Sequence, residues 1–384
     1  MSAVCAIALL LVAAVCRCCD ADELLFSHVR SYNEDMYRAT LRVHVTPTPQ
    51  RHRVNAKPVS FPVWRHGARA PTSSFATDPN GGEASWPQGF GELTSVGVKG
   101  SFELGVFLRK RYQLLLGDRY SAFQVKVLAT QFNRTIMTAQ AVLAGLFPPK
   151  GDQRWSETLE WQPIPIHSPL PFYPNCPAAM KSVGDRLASS QGGESVTGVS
   201  AIRSSVLDSL NSIAAHPETH EMPSWATEET LAKARRLADV EHGVWLDDNE
   251  VAVKLWGGPM FADVRQRLLA IRDSTADPRL KLSIHSAHDT SVAMFFAVVG
   301  LPSTPYCEFS AAVMLEVYKQ SATGELAVKL FYRNGTGAEP FELEMPHCRC
   351  PCTLDKFLDG TAYLETEDWE GECGLRQGDA NRVA

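Results

Sequence analysis

Residues 59–71 read VSFPVWRHGARAP, an apolar run that leads directly into a histidine flanked by arginines. A short apolar run that stops abruptly at charged residues and glycine is typical of a buried strand that feeds a loop. Pro62 lies within the run and argues against a central strand, because proline lacks the N–H group that a sheet ladder uses. We therefore expect a strand over Val59–Trp64 with a charged loop at its end.

A second junction of this kind lies at Arg134. Residues Phe123–Leu128 alternate apolar and polar side chains as a strand does, and Thr135–Leu146 reads as a helix closed by two prolines. Arg134 is therefore expected at the start of a helix, just beyond a strand.

Between these two junctions, Val98, Phe102 and Val106 recur at every fourth position. This spacing predicts a helix over Ser95–Tyr112 with one apolar face that packs on the core. Thr94 fits as its N-cap.

A third junction lies at His288 and Asp289. Leu280–Ile284 alternates as a strand, and Thr290–Val299 reads as an apolar helix. Two later strands, which would complete the sheet, are predicted at Ala312–Tyr318 and Leu326–Tyr332.

The three junctions predict a ligand site, because α/β sheets bind ligands beyond the ends of their strands. They bring six candidates to those ends: Arg65, His66, Arg69, Arg134, His288 and Asp289. Guanidinium groups suit phosphate, since their planar fork donates paired hydrogen bonds and keeps its charge at any working pH. Taken singly, such residues are more often surface charges, loop histidines or helix caps, so the interpretation depends on their joint arrangement.

These residue types suit phosphoryl transfer. Histidine attacks phosphorus through a neutral ring nitrogen, and adjacent arginines favour the neutral form of His66 by opposing its protonation. Asp289 could hold the proton that the leaving alkoxide needs, while the arginines and His288 would stabilise charge on the transferring group. This chemistry requires no metal or other cofactor.

The bulk composition narrows the class of protein. The 384 residues are 45% hydrophobic, enough for a sizeable core, and the net charge of −6 offers no basic surface for nucleic acid. The apolar run Ala6–Val15 has the length of a signal-peptide core, so residues 1–19 are predicted to be a signal peptide; a buried N-terminal helix is the alternative. No later run reaches transmembrane length.

Six of the ten cysteines lie beyond that leader. In an exported protein they favour disulfide bonds, although Cys348, Cys350 and Cys352 alone could suggest a metal site. Zinc would need a second cluster of ligands, and the sequence offers none.

The run RHGARAP at residues 65–71 resembles the R-H-G-x-R-x-P signature of the histidine acid phosphatases. Further blocks resemble that family in the same order: Leu93-Thr94, Arg134-Thr135, Leu143–Pro149, Trp256–Pro259 and Ser286–Thr290. The resemblance implies an α/β fold, with a phosphoglycerate mutase-like core whose central mixed sheet is flanked by helices, and a smaller helical domain. The core would comprise residues 58–168 and 250–373, with the helical domain inserted at 169–249, an extension or linker at 20–57 and a tail at 374–384.

The resemblance also implies roles for the site residues. His66 would carry a phosphohistidine, Asp289 would be the proton donor, and the remaining four would bind phosphate: Arg65, Arg69, Arg134 and His288. Two disulfide bonds are implied, Cys176 with Cys373 and Cys348 with Cys352, which leaves Cys307 either free or paired with Cys350.

Two positions depart from the pattern common in animal members of that family. Ala68 replaces an aspartate, and Asn133 stands where an aspartate often precedes the arginine. Asn133 also begins a glycosylation sequon, but a glycan there would obstruct the site, so Asn334 is the better candidate acceptor.

The resulting hypothesis is a secreted or lysosome-like lumenal acid phosphatase. It would act on phosphate monoesters, whether small molecules or phosphoproteins, with no nucleic-acid partner and no membrane span in the mature chain; a homodimer is left open. A phytase-like inositol phosphate hydrolase is the nearest enzymatic alternative. A catalytically impaired secreted member that acts as a binding protein is the alternative from another class.

Overall fold

The computed structural model describes residues 59–170, 176–189, 206–302, 306–320, 323–348 and 351–375. The predicted signal peptide and most of the tail lie outside these ranges, as does the extension at 20–57. Among the helices of the described ranges, none combines the length and apolar character needed to cross a membrane. Within those ranges, no three His, Cys, Asp or Glu side chains gather closely enough to hold a metal ion.

A seven-stranded mixed sheet forms the centre, in the order β3-β2-β4-β1-β5-β6-β7. The first four strands in this order are parallel, and the last three pair antiparallel. The strands are β1 Val59–Arg65, β2 Val125–Thr130, β3 His167–Leu170, β4 Leu282–Ala287, β5 Ala312–Lys319, β6 Leu326–Arg333 and β7 Phe341–Leu343. The predicted strands are confirmed to within a few residues.

Helices cover both faces of the sheet. In the described ranges they are α1 Ser95–Arg111, α2 Asn133–Leu146, α3 Pro177–Ser189, α4 Asp208–Ala214, α5 Glu228–Leu246, α6 Glu250–Ala252, α7 Gly258–Arg272, α8 Asp289–Val298, α9 Leu354–Gly360 and α10 Trp369–Glu372. A π-turn at Val253–Gly257 joins α6 to α7.

Two hydrophobic layers sandwich the sheet. On one face Phe61 and Val63 belong to a cluster with α7, α8 and α9. On the other, Trp64 packs in a cluster with residues of α1 and α2. Because side chains alternate along a strand, β1 serves both layers and is buried throughout.

Pro62 argued against a central strand, and this argument is wrong, because β1 lies between β4 and β5 in the sheet. Ser60 and His66 donate their backbone N–H groups to carbonyl oxygens on the β4 side, each at 2.9 Å. Since N–H groups of alternate residues point to opposite sides, Pro62 faces β4 and omits a single bond of that ladder. The cost is about 1 kcal/mol, which the burial of β1 can offset.

The prediction that Val98, Phe102 and Val106 form the buried face of α1 is also wrong. The helix and its cap are confirmed, since Thr94 Oγ1 accepts from Gly97 N at 3.2 Å, but Val98, Phe102 and Val106 are 42–48% exposed. The buried side of α1 consists of small residues and leucines: Gly97, Ser101, Leu104, Gly105 and Leu108. Glycine allows α1 to approach neighbouring backbone closely, and this packing outweighs the burial of larger side chains.

The described part of the segment between β3 and α6 contains three helices, α3, α4 and α5, joined by turns and loops. Its division from the core at residue 168 cuts β3, which continues to Leu170. The structure contains both implied disulfide bonds, Cys176–Cys373 and Cys348–Cys352. Cys307 is a buried free thiol, and Cys350 lies outside the described residues.

Candidate active site

Three neighbouring parallel strands end at the same edge of the sheet and gather the six predicted residues. Arg65 closes β1, Arg134 opens α2 after β2, and His288 follows β4. The rings of His66 and His288 lie 5.5 Å apart, and Asp289 contacts Arg65. Arg65, Arg69 and Arg134 all lower the pKa values of both histidines, as their proximity requires.

Glycine shapes the loop after β1. A Cβ on Gly67 would lie 2.5 Å from Gly97 O and 2.6 Å from Ser101 Oγ on α1, so this position excludes a side chain. The Gly67 N–H group donates to Thr138 Oγ1 of α2 at 2.9 Å. The loop that carries His66 is therefore fixed against two helices.

His66 is held in one neutral tautomer. Nδ1 lies 2.9 Å from the carbonyl oxygen of Gly67, which can only accept, so Nδ1 carries the hydrogen and Nε2 keeps its lone pair. Burial, then Arg69, then Arg65 hold the pKa of His66 well below its ordinary value. The sequence predicted this direction from the arginines, but burial is the larger cause.

Arg65 is buried and almost fully enclosed. One terminal nitrogen donates to the Tyr306 hydroxyl at 2.9 Å and to the carbonyl of Cys307, and the other lies 3.3 Å from Asp289 Oδ2. Its guanidinium carbon also lies 4.2 Å from the centre of the Phe309 ring. These contacts fix the orientation of Arg65 before any substrate binds.

Arg69 forms a bidentate ion pair with Asp208 of α4. Its terminal nitrogens lie 2.6 Å and 3.1 Å from the two carboxylate oxygens, and Thr72 donates two further hydrogen bonds to Oδ2. Although burial opposes the charge of Asp208, Arg69 and then Thr72 hold its pKa below the ordinary value. Asp208 was not predicted from the sequence, because it lies on a helix without a motif.

Arg134 packs against an aromatic ring, with its guanidinium carbon 4.4 Å from the centre of Phe132. Burial and the neighbouring Arg69 lower the pKa of Arg134 to about 10, so the group remains cationic in acid and at neutral pH. Like Arg65 and Arg69, it has a buried Nε without a hydrogen-bond partner among the described residues.

His288 and Asp289 stand where β4 passes into α8. His288 is the N-cap of α8, and its Nε2 lies 2.8 Å from Thr130 Oγ1. Burial, with Arg134 next in size, lowers the pKa of His288 to about 3. The Asp289 side chain is 23% exposed and accepts from Thr290 N at 2.8 Å through Oδ1.

The arrangement can bind an anion of phosphate size and attack it. Three buried Nε–H donors lack acceptors among the residues that the structure describes, and phosphate oxygens are strong acceptors. A neutral histidine nitrogen lies among these cations, and a carboxyl group reaches solvent beside them.

The model of the histidine phosphatase superfamily (branch 2) matches residues 62–168. Prostatic acid phosphatase of Bos taurus is 34% identical to this chain, and the match covers 84% of the chain and 89% of the relative. Lysosomal acid phosphatase of Bos taurus is 32% identical, with coverage of 83% and 80%.

Solved structures of phytases have a similar fold. The phytase from Citrobacter braakii gives a TM-score of 0.62 at 16% identity, over 83% of this chain and 99% of that chain. Hafnia alvei phytase in complex with myo-inositol hexakis sulphate also gives 0.62, at 18% identity, over 83% and 98%. At this identity the likeness shows the fold alone.

Proposed function

This chain belongs to branch 2 of the histidine phosphatase superfamily and is a histidine acid phosphatase, and we propose that it hydrolyses phosphate monoesters through a phosphohistidine on His66. The observation that carries this mechanism is the neutral His66 held among three arginines, each with an Nε–H group that has no acceptor in the described part of the chain. Such a site binds the phosphoryl oxygens and leaves a lone pair available to attack phosphorus.

In the first step, the lone pair of His66 Nε2 forms a bond to phosphorus while the ester P–O bond breaks. The leaving oxygen takes the electron pair of that bond and a proton from the Asp289 carboxyl group. The imidazole ring becomes cationic, and its Nδ1–H donates to the Gly67 carbonyl, which stabilises the charge. The three arginines stabilise the charge that spreads over the equatorial oxygens.

In the second step, water attacks phosphorus as the Asp289 carboxylate takes one of its protons. The electron pair of the P–N bond returns to His66 Nε2, and inorganic phosphate is released. Asp289 suits both steps because its side chain reaches solvent beside Arg65.

Rapid quenching in alkali tests the intermediate, because phosphoramidate bonds survive alkali. With a ³²P-labelled aryl phosphate we expect label on the wild-type chain and none on His66→Ala, which should also lose turnover. Turnover that survives in His66→Ala would refute the covalent mechanism. The same assay addresses the binding-protein alternative, which requires an inactive wild type.

Phytate is the alternative substrate, and a substrate screen separates the two hypotheses. The proposal expects simple aryl and alkyl phosphates to be hydrolysed efficiently at acid pH. Turnover of phytate with none of the simple esters would instead make the chain phytase-like.

We also propose that residues 1–19 are removed on export and that the product resides outside the cell or in a lysosome-like lumen. Two disulfide bonds support an oxidising compartment. Asn334 remains the candidate for glycosylation: its Nδ2 lies 3.4 Å from Tyr306 O, and a glycosylated asparagine retains one N–H for that contact. Export in eukaryotic cells with a glycosidase-sensitive mass, lost in Asn334→Gln, is the expected result.

A homodimer is a further proposal, supported by the exposed side chains of Trp155, Leu159 and Trp161. Light scattering on the purified chain should give twice the monomer mass, and Trp155→Glu should lower it. A monomer at all concentrations would rule out this assembly.

A further inference from the structure

Two threonines that the mechanism does not use lie beside His288. Thr130 closes β2, and Thr135 lies in the first turn of α2, so they flank the junction that carries Arg134. Thr130 is 5% exposed, Thr135 is fully buried, and His288 is 2% exposed. Hydrogen bonds connect the three side chains in a line.

The hydrogens along this line can be assigned by counting. Thr135 Oγ1 lies 2.8 Å from Phe132 O and 2.9 Å from Thr130 O, and a carbonyl oxygen can only accept, so the hydroxyl of Thr135 donates to one of them. Thr130 Oγ1 lies 2.9 Å from Thr135 Oγ1 and therefore must donate there. The contact between Thr130 Oγ1 and His288 Nε2 is then a hydrogen bond only if Nε2 donates its hydrogen and Thr130 Oγ1 accepts.

We propose that Thr130 and Thr135 form a relay that positions His288 and fixes its neutral tautomer with the hydrogen on Nε2. Nδ1 is then the nitrogen of His288 that gains and loses a proton, the opposite of the assignment for His66. The backbone supports the relay, because Ser286 Oγ donates to Thr135 O at 2.7 Å and ties β4 to α2. This inference rests on the proposed role of His288 at the phosphoryl group.

Several charged and titratable groups face His288 and act on it together. They are Arg65, His66 and Arg69 from β1 and its loop, Arg134 from α2, and Asp289 from its own helix. An imidazolium N–H is a stronger donor than a neutral one, so loss of its acceptor destabilises the charged ring more. Removal of the Thr130 hydroxyl should therefore move the limb of the pH profile that His288 governs to lower pH.

Imidazole ¹⁵N spectra of the wild-type enzyme test the tautomer directly, with His288→Asn used to assign the signal. At neutral pH we expect the hydrogen of the His288 ring on Nε2 and none on Nδ1. In Thr135→Val, the Thr130 hydroxyl loses its acceptor and turns to donate to Nε2, so the proton of His288 should move to Nδ1. Thr135→Ser should restore the wild-type pattern. An Nδ1-protonated His288 in the wild type would overturn the relay.

Kinetics provide a second test. Thr130→Val should lower kcat about 10- to 100-fold, as loss of a hydrogen-bond partner behind a functional histidine commonly does, and shift the pH profile, while Thr130→Ser should recover kcat to within about twofold. Thr361→Val is the matched control, because Thr361 is similarly buried and hydrogen-bonded but is the C-cap of α9. It should lower thermal stability and leave the pH profile of kcat unchanged.

The double variant Thr130→Val/Thr135→Val distinguishes a relay from two independent contributions. If the threonines act through one line of hydrogen bonds, the double variant should lose no more activity than Thr130→Val alone. Additive losses, or a Thr130→Val enzyme with the wild-type pH profile, would refute the relay. In either case the wild type would still trap phosphate on His66, so the relay can fail without the proposed function failing.

Discussion

Three guanidinium groups, two buried and that of Arg134 half-buried, surround His66, which in the proposed mechanism must stay uncharged to react. In water the pKa of His66 would lie near 6.5, and an acid phosphatase would then lose its nucleophile at its working pH. Burial and the arginines lower this pKa, so in the proposed mechanism the cations that bind phosphate also keep the nucleophile unprotonated in acid. We therefore expect the chemical step to persist well below pH 6.5 without a separate base.

Asp208 positions Arg69, and its removal should impair catalysis. In Asp208→Ala both terminal nitrogens of Arg69 lose the carboxylate, and one of them keeps only the Ala70 carbonyl oxygen as acceptor. A small displacement of a group that binds phosphate is costly. We expect kcat/KM to fall about 10- to 100-fold, with Asp208→Asn in between because the amide keeps one acceptor. Asp185→Ala removes an exposed carboxylate from α3 and should leave kcat/KM unchanged. Equal kinetics for the two alanine variants would exclude the role assigned to Asp208.

Asp289 should matter most where the leaving group is a poor one. An alkoxide cannot depart without a proton, whereas a nitrophenolate can, so Asp289→Asn should slow alkyl phosphate hydrolysis by about 100-fold or more and aryl hydrolysis far less. Initial rates on both substrates measure the difference. Equal losses on the two would contradict a role as proton donor.

All six candidate site residues could be chosen from the sequence, and the structure brings them to one edge of the sheet, because each follows a predicted strand and matches a motif. It could not find Asp208 or Tyr306, which contact the arginines across 139 and 241 residues of chain. Neither stands at a strand end, so local patterns carry no sign of them. Thr135 belongs to the Arg134-Thr135 block and Thr130 lies four residues before Arg134, but the role of both depends on a histidine 158 residues from Thr130.

At the scale of helices and strands, periodicity predicted where elements lie better than which side they bury. In α1 the large residues recur at helical spacing but face solvent, because contact with the loop after β1 and with α2 goes through Gly97 and Gly105. A pattern built on apolar size cannot identify a face made of glycine and serine. In the same way, Pro62 predicts a break in the strand, because the sequence does not show that only one hydrogen bond of one ladder is lost.

The crossing of α1 and α2 should tolerate no added methyl group at Gly145. A Cβ there would meet Phe102 O and lie 2.9 Å from Val106 N, so the helices must separate. We expect Gly145→Ala to lower the free energy of unfolding by about 2 kcal/mol despite the higher helix propensity of alanine.

Gly184→Ala is the control substitution for Gly145→Ala. Gly184 lies on an exposed face of α3 with nothing within 4 Å of a built Cβ, so Gly184→Ala should raise stability by about 0.5–1 kcal/mol. Urea unfolding of both variants makes the comparison. If both stabilise the protein, the helix crossing is looser than the structure shows.

At the scale of the whole molecule, the site depends on chain segments far apart in sequence. The helical segment supplies Asp208 to Arg69, and the Cys176–Cys373 bond ties the start of that segment to the C-terminal part of the core across 197 residues. The same fold buries histidines in their neutral form, and such burial lowers the stability of the protein in acid.

His285 of β4 is a buried histidine outside the six candidate site residues. It is 3% exposed and lies 3.8 Å from Asp263 Oδ2, and neither ring nitrogen has a hydrogen-bond partner within the described ranges. Burial lowers its pKa from 6.5 to about 4, although Asp263 opposes the shift. Between these two values the unfolded chain binds a proton that the folded chain does not, so stability falls as pH decreases from 6.5 to 4.

His285→Gln should remove this part of the pH dependence. For a single group with these two pKa values, linkage gives a loss of about 2 kcal/mol between pH 7 and pH 5, so the wild type should lose that much more than the variant over the interval. Denaturant unfolding with the disulfide bonds intact measures both, and His167→Gln, at an exposed position, serves as the control. His66 and His288 are shifted in the same direction, so the variant should retain some slope, and added phosphate should reduce it by binding the folded site. Identical slopes for wild type and His285→Gln would mean that His285 takes up its proton in the folded protein without cost.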